Sequence, residues 1–224
     1  MVLSIITVSI IFSFLIWLGL RANEADWGKP WVNVIDGWLR LFLKYYHRYQ
    51  HMPVELPEQG AALLAGNHVS GLDPLMLIAA CQRPVRFMIA REEYERFGLR
   101  WLFRAGGCIP VERSGKPEKA FRAALAALHQ GEVVGIFPEG GMHLSSHPPK
   151  RLKRGVAVLA ELSQARVYPV KVSGTAAEGH VITAVIKRAH AQLQTFPPMD
   201  CALLGQPVCL EQLAALWRKG SQGE

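Results

Sequence analysis

The sequence predicts an α/β domain with a mixed, largely parallel sheet flanked by helices, preceded by an N-terminal transmembrane helix. Three observations predict it. The first twenty residues carry no charged side chain. From residue 51 onward, short β-type apolar runs alternate with helical patterns, the order that builds layered α/β domains. Polar segments rich in glycine follow several of those runs, where ligands on such sheets bind. With 224 residues, half of them hydrophobic, the chain has material for one substantial core and a small appendage.

Met1 to Leu20 (MVLSIITVSIIFSFLIWLGL) holds only Ser4, Thr7, Ser9 and Ser13 as polar residues. As a helix it spans roughly 30 Å, the hydrocarbon thickness of a bilayer. A cleaved signal peptide is the alternative, but the basic n-region is missing and no small-x-small cleavage site follows cleanly. Residues 1–22 are therefore read as a retained anchor. Arg21, Lys29, Arg40, Lys44 and Arg48 follow it while nothing basic precedes it, which predicts a single-pass inner-membrane protein with its domain in the cytoplasm. Residues 27–50 read as an amphipathic helix. Trp31, Val34, Ile35, Trp38, Phe42, Tyr45, Tyr46 and Tyr49 recur at helical spacing, and Asn33, Asp36, Arg40, Lys44 and Arg48 occupy much of the other face. Two readings stay open for it, a helix packed on the domain core and one lying in the headgroup layer.

Within the domain, 51–224, strands are expected at 61–66, 84–89, 107–111, 132–137 and 166–172, with a later one inside 181–196. Helices are expected at 74–81, 97–105, 117–130, 153–164 and 209–219. The helix at 117–130 has the clearest signals. Pro117 suits a first turn, Ala120, Phe121, Ala124, Leu125 and Leu128 form a stripe, and Gly131 stops it. Cys81, Cys108, Cys201 and Cys209 show no C-x-x-C pairing and read as reduced thiols, in keeping with a cytoplasmic location. The net charge of +7 suits nucleic acid, an anionic membrane or a phosphorylated ligand equally.

Four segments carry the chemistry. NHVSGLD (67–73) leaves the first strand and places His68 and Asp73 in a gap between apolar runs, with Asp73-Pro74 reading as a helix cap and first-turn proline. Alone, that is an ordinary turn. FPEG (137–140) repeats the arrangement after another strand, GGCIPVER (106–113) brings out Glu112 and Arg113, and Lys150, Arg151, Lys153 and Arg154 precede a helix. A basic helix start is a solvated face or an anion site.

Taken together, these segments resemble the glycerolipid acyltransferase family typified by lysophosphatidic acid acyltransferase. NHVSGLD matches its Asn-His-x-Ser-x-x-Asp motif, and GGCIPVER and FPEG match its second and third motifs. KRGVAVLA (153–160) and VYPVKVSGT (167–175) match its basic-Gly segment and Val-Pro-Val strand. The resemblance covers about residues 55 to 175 in order. One departure is evident: the family continues its third motif with Thr-Arg-Ser, and this chain has Gly141, Met142 and His143.

The resemblance implies a membrane-bound O-acyltransferase of phospholipid biosynthesis. It would move a fatty acyl group from acyl-CoA or acyl-ACP (acyl carrier protein) to the hydroxyl of a lysophospholipid, with 1-acyl-sn-glycerol 3-phosphate as the expected acceptor. It implies membrane lipids as partners, no nucleic acid, no metal and no cofactor beyond the acyl thioester. His68 is then the general base and Asp73 the residue that orients it. Glu139 and Gly140 are expected at the polar part of the acceptor and Arg113 at its anionic group, with Asn67, Ser70, Lys153 and Arg154 also at the substrate site. On a regular helix, positions five apart lie about 140° apart, so the pair requires the loop-to-helix break that the sequence shows. The departure after FPEG leaves room for another lyso-lipid, such as a lyso-ornithine lipid. A non-enzymatic membrane-tethered module binding anionic lipid is the reading that charge alone permits.

Overall fold

The computed structural model describes residues 2–112, 117–148 and 150–219. Uncharged before Arg21, the N-terminal segment winds into α1 (Val2–Ala22), long and apolar enough to cross a membrane. α2 (Pro30–Tyr45) starts on a proline, where a missing N–H costs nothing. The two helices pack through glycines, since a Cβ on Gly37 would overlap the Gly19 carbonyl. Trp38 Nε1 adds a hydrogen bond to Leu15 O at 3.2 Å.

α2 corrects the expectation for 27–50 in two ways. It ends at Tyr45, Arg48 turns the chain with a positive φ of 47°, and Gln50–His51 form an edge strand, β1. The buried face also runs opposite to the composition. Asp36 and Arg40 are buried with Val32, Gly37 and Leu43, whereas Trp31, Trp38, Tyr45 and Tyr46 are exposed. Pairing makes the burial possible. Arg40 Nε donates to Asp36 Oδ2 at 2.7 Å, and its Nη atoms donate to Ala79 O and Cys81 O, both at 2.8 Å. A buried guanidinium is tolerated when its donors are used in this way.

The remaining strands are β2 (Ala62–Gly66), β3 (Val85–Ala90), β4 (Ile109–Val111), β5 (Val133–Ile136), β6 (Arg166–Ser173) and β7 (Gln192–Thr195). They form one sheet in the order β1-β7-β6-β2-β5-β3-β4. Among the described residues every strand pairing in the sheet is parallel except β6 with β7, so the sheet is mixed and largely parallel, as expected. All five residues of β2 are buried, the signature of a central strand covered on both faces. On one face Leu64, Phe87 and Val170 pack with α2, α3 (Asp73–Ala79) and α8 (Ile182–Ile186). On the other, Leu63, Ala65, Val134 and Val167 meet α6 (Glu118–His129), α7 (Gly155–Ser163), α9 (Cys201–Leu204) and α10 (Gln206–Lys219).

Several boundaries differ from the sequence reading. The helix expected at 97–105 is the shorter α5 (Arg100–Ala105), and a further short helix, α4 (Arg91–Tyr94), precedes it, with Gly98 at φ 79° between them. The region 181–196 holds α8 before β7. Cys201 and Cys209 form a disulfide across the break between α9 and α10, with Cα atoms 5.2 Å apart, which corrects the expectation of reduced thiols at both positions. Gly205, with φ 77°, folds α9 back against α10, so a spacing with no motif character becomes a contact. Cys81 and Cys108 are free thiols, and burial pushes them up to about 12 and about 11. The cysteines therefore no longer argue for a cytoplasmic location.

Candidate active site

β2 delivers its last residue, Gly66, to the carboxyl end of the sheet, between Leu77, Phe137 and Val170. Asn67 continues the ladder with its side chain. Its Nδ2 donates to Val172 O at 3.0 Å and its Oδ1 accepts from Val172 N at 2.7 Å, so the amide fastens the loop to β6. At His68 the loop is held by two neighbours. The His68 N–H donates to Glu139 Oε2 at 2.7 Å, and the His68 carbonyl accepts from His143 N at 2.7 Å. The imidazole stacks on Phe137, with centroids 4.3 Å apart and planes 17° apart.

Asp73 is fully buried and collects four donors. Oδ2 accepts from His68 Nδ1 at 2.9 Å, Val69 N at 2.6 Å and Ser70 N at 2.8 Å, while Oδ1 accepts from Ser70 Oγ at 2.7 Å. The carboxylate thus faces back into the loop rather than forward to the first N–H groups of α3. This corrects the reading of Asp73 as a helix cap. Asp73 is already the first helical residue, after Leu72. Gly71 makes the turn possible, since a Cβ there would collide with the Val181 backbone, and its N–H donates to His180 O at 3.0 Å. Because Asp73 accepts at Nδ1, that nitrogen carries the proton and Nε2 carries the lone pair. The His68 side chain keeps 17% of its surface exposed, enough for a reacting group to reach it.

Glu139 sits in the turn Phe137-Pro138-Glu139-Gly140, which closes with Gly140 N to Phe137 O at 3.0 Å and a φ of 74° at Gly140. Burial pushes its carboxyl up to about 7, against the lowering effect of the His68 N–H. Lys153 lays its side chain over Gly140, and its N–H donates to Pro138 O at 2.8 Å. The structure therefore brings Asn67, His68, Ser70, Asp73, Glu139, Gly140 and Lys153 into one assembly. Arg154 is exposed at the start of α7 and does not join it. Arg113 lies outside the described residues. Phe137 opens the FPEG segment and His143 stands three residues after it, yet ring stacking and a backbone brace leave no mark in spacing.

A cavity of about 850 Å³ opens beside the loop, lined by Asn67, Val69, Glu139, His143, Lys150 and Lys171 among others. The His68 ring is not part of its lining, because that ring lies on the Phe137 side of the loop. The cavity adjoins the reverse of the loop.

A buried carboxylate hydrogen-bonded to a largely buried imidazole, at the carboxyl end of a mixed sheet, is an arrangement able to serve base-assisted group transfer. The sequence profile of the acyltransferase family matches residues 47–173, more than half of the chain, and the chain belongs to that family. It is an acyltransferase. It is similar to the 1-acyl-sn-glycerol-3-phosphate acyltransferase of Bacillus subtilis, 23% identical over 162 residues that cover 72% of this chain and 78% of the relative. It is also similar to the N-acylphosphatidylethanolamine synthase of Arabidopsis thaliana, 30% identical over 48% of this chain and 41% of the relative. The crystal structure of the 1-acyl-sn-glycerophosphate (LPA) acyltransferase PlsC from Thermotoga maritima shares the fold. Its TM-score is 0.68 at 16% identity, over 94% of this chain and 87% of that one.

Proposed function

We propose that the chain transfers a fatty acyl group from an acyl thioester, acyl-CoA or acyl-ACP, to the free hydroxyl of a membrane lysophospholipid. The acceptor read first is 1-acyl-sn-glycerol 3-phosphate, which would give phosphatidic acid. The observation that carries this is the His68–Asp73 pair, 2.9 Å apart, with Asp73 held by three further donors. Nε2 of His68 takes the acceptor's hydroxyl proton as the oxygen attacks the thioester carbonyl. The C–S bond then breaks, the thiolate leaves, and His68 returns the proton to sulfur. Asp73 stabilises the imidazolium between the two transfers. No enzyme nucleophile is needed, and Ser70 Oγ is already committed to Asp73 Oδ1.

The names of the similar proteins in Bacillus subtilis and Streptococcus pneumoniae support the phosphate-bearing acceptor. Gly141 and Met142, standing where the family carries Thr-Arg, favour a second reading in which the same chemistry serves a lyso-lipid with another headgroup. The test is purified protein in vesicles, offered a panel of lyso-lipids with each donor and read by mass spectrometry. One acceptor is expected to gain an acyl chain with wild type and none with His68→Ala, whose melting temperature stays near wild type. Near-wild-type turnover by folded His68→Ala would overturn the mechanism.

A further inference from the structure

The connection from β3 to β4 leaves the carboxyl end of the sheet, the end that carries His68. At the turn between α4 and α5 it presents Phe97 fully exposed, beside Gly98. Burying a phenyl ring is worth about 1.5–3 kcal/mol, so a ring with no protein cover at a turn tip calls for an occupant. Trp101, more than half exposed, donates from Nε1 to Gly98 O at 2.8 Å and packs against Trp31 of α2, with ring centroids 5.4 Å apart and planes tilted by 37°. The Trp27 ring also lies against Gly106, tying the α1–α2 turn to the end of α5. Phe97 is thus continuous with the hairpin whose first helix is apolar enough to cross a membrane. Its surroundings suit an interface rather than a hydrocarbon core. Exposed Lys29 stands two residues before Trp31, and exposed Arg100 and Arg104 stand one and three residues from Trp101, Arg100 also pairing with Glu95 at 3.2 Å; tryptophan and cations side by side are what the headgroup layer of an anionic bilayer favours.

We propose that Phe97, Trp101 and Trp31 form a second membrane contact, by which the β3–β4 crossover docks on an anionic bilayer and turns the His68 end of the sheet toward it. The inference rests on the membrane-held acceptor read above. A lyso-lipid then reaches His68 from the bilayer surface without leaving it.

The test uses the full-length protein with a single environment-sensitive fluorophore at Phe97→Cys, in a Cys108→Ala background, because Cys81 is fully buried. A label at Glu161→Cys on α7, across the sheet, is the control. In vesicles of equal phosphatidylcholine and phosphatidylglycerol, the label at 97 is expected to shift to the blue and be quenched by lipids carrying a shallow spin label, with the control unchanged. Phe97→Asp should lower turnover of a long-chain lyso-lipid in vesicles by about tenfold, as loss of one buried ring implies, and leave a short-chain soluble acceptor unaffected. Protein that floats with vesicles while the label at 97 stays unquenched overturns the proposal and leaves the anchoring role of α1 standing. Protein that does not float at all removes both. A blue shift without quenching by lipid, indicating burial against a second copy or another protein, also overturns it.

Discussion

At the scale of single residues, the site is organised around one carboxylate. Asp73→Asn separates its two functions. An asparagine can keep Oδ1 on the three donors now at Oδ2 and turn its amide toward Ser70 Oγ, which can rotate to accept. The fold is then retained while the negative charge behind the imidazolium is lost. Turnover is expected to fall by roughly 10²–10⁴ with little change in melting temperature. A large drop in melting temperature would show that the charge is structural. Glu139 gives a pH signature of its own. Its folded value of about 7 lies above the ordinary 4.5, so the native state holds that proton more tightly than the unfolded chain does. The resulting stabilisation is complete below about pH 4.5 and is lost as the pH rises through 7. Glu139→Gln lacks the ionisation, so melting curves from pH 4.5 to 7.5 should show the variant gaining on wild type as pH rises. Parallel profiles would refute the assignment.

At the scale of elements, seven-residue α3 joins the α1–α2 hairpin to the site. Asp73 opens it, and Arg40 of α2 donates to the carbonyls at its far end. Tyr49 OH adds a hydrogen bond to Met76 O at 2.8 Å. Arg40→Met strands the buried Asp36 charge and those carbonyls, at a cost of about 3–5 kcal/mol. Adding Asp36→Leu removes the stranded charge, so the double variant should be more stable than Arg40→Met alone in urea unfolding. If it is less stable, the pair is not the unit of burial. This cluster also explains how charged residues of α2 come to be buried. Charges at Asp36 and Arg40 mark a solvent face by composition, and only the arrival of α3 turns them into a buried contact.

At the scale of the molecule, the sheet gathers loops that lie far apart in the chain. Asn67 and Val172 meet because β2 and β6 are neighbours, and Glu139 reaches His68 because β5 flanks β2 on its other side. The order of apolar runs made the α/β class legible, and the uncharged first segment made a span-length helix legible. The spacing within NHVSGLD and FPEG placed His68, Asp73 and Glu139 in loops after strands. These are local properties, written in periodicity, breakers and short motifs. The tertiary structure alone decided that Asp73 faces backward to four donors, that Phe137 forms the wall behind the imidazole, and that Cys201 meets Cys209. It also decided that Trp31 and Trp38 of α2 face outward, with Trp31 against Trp101. The physical reason is common to all four. Each depends on which elements pack together, and the free energy of that packing belongs to pairs of distant residues that no local pattern records.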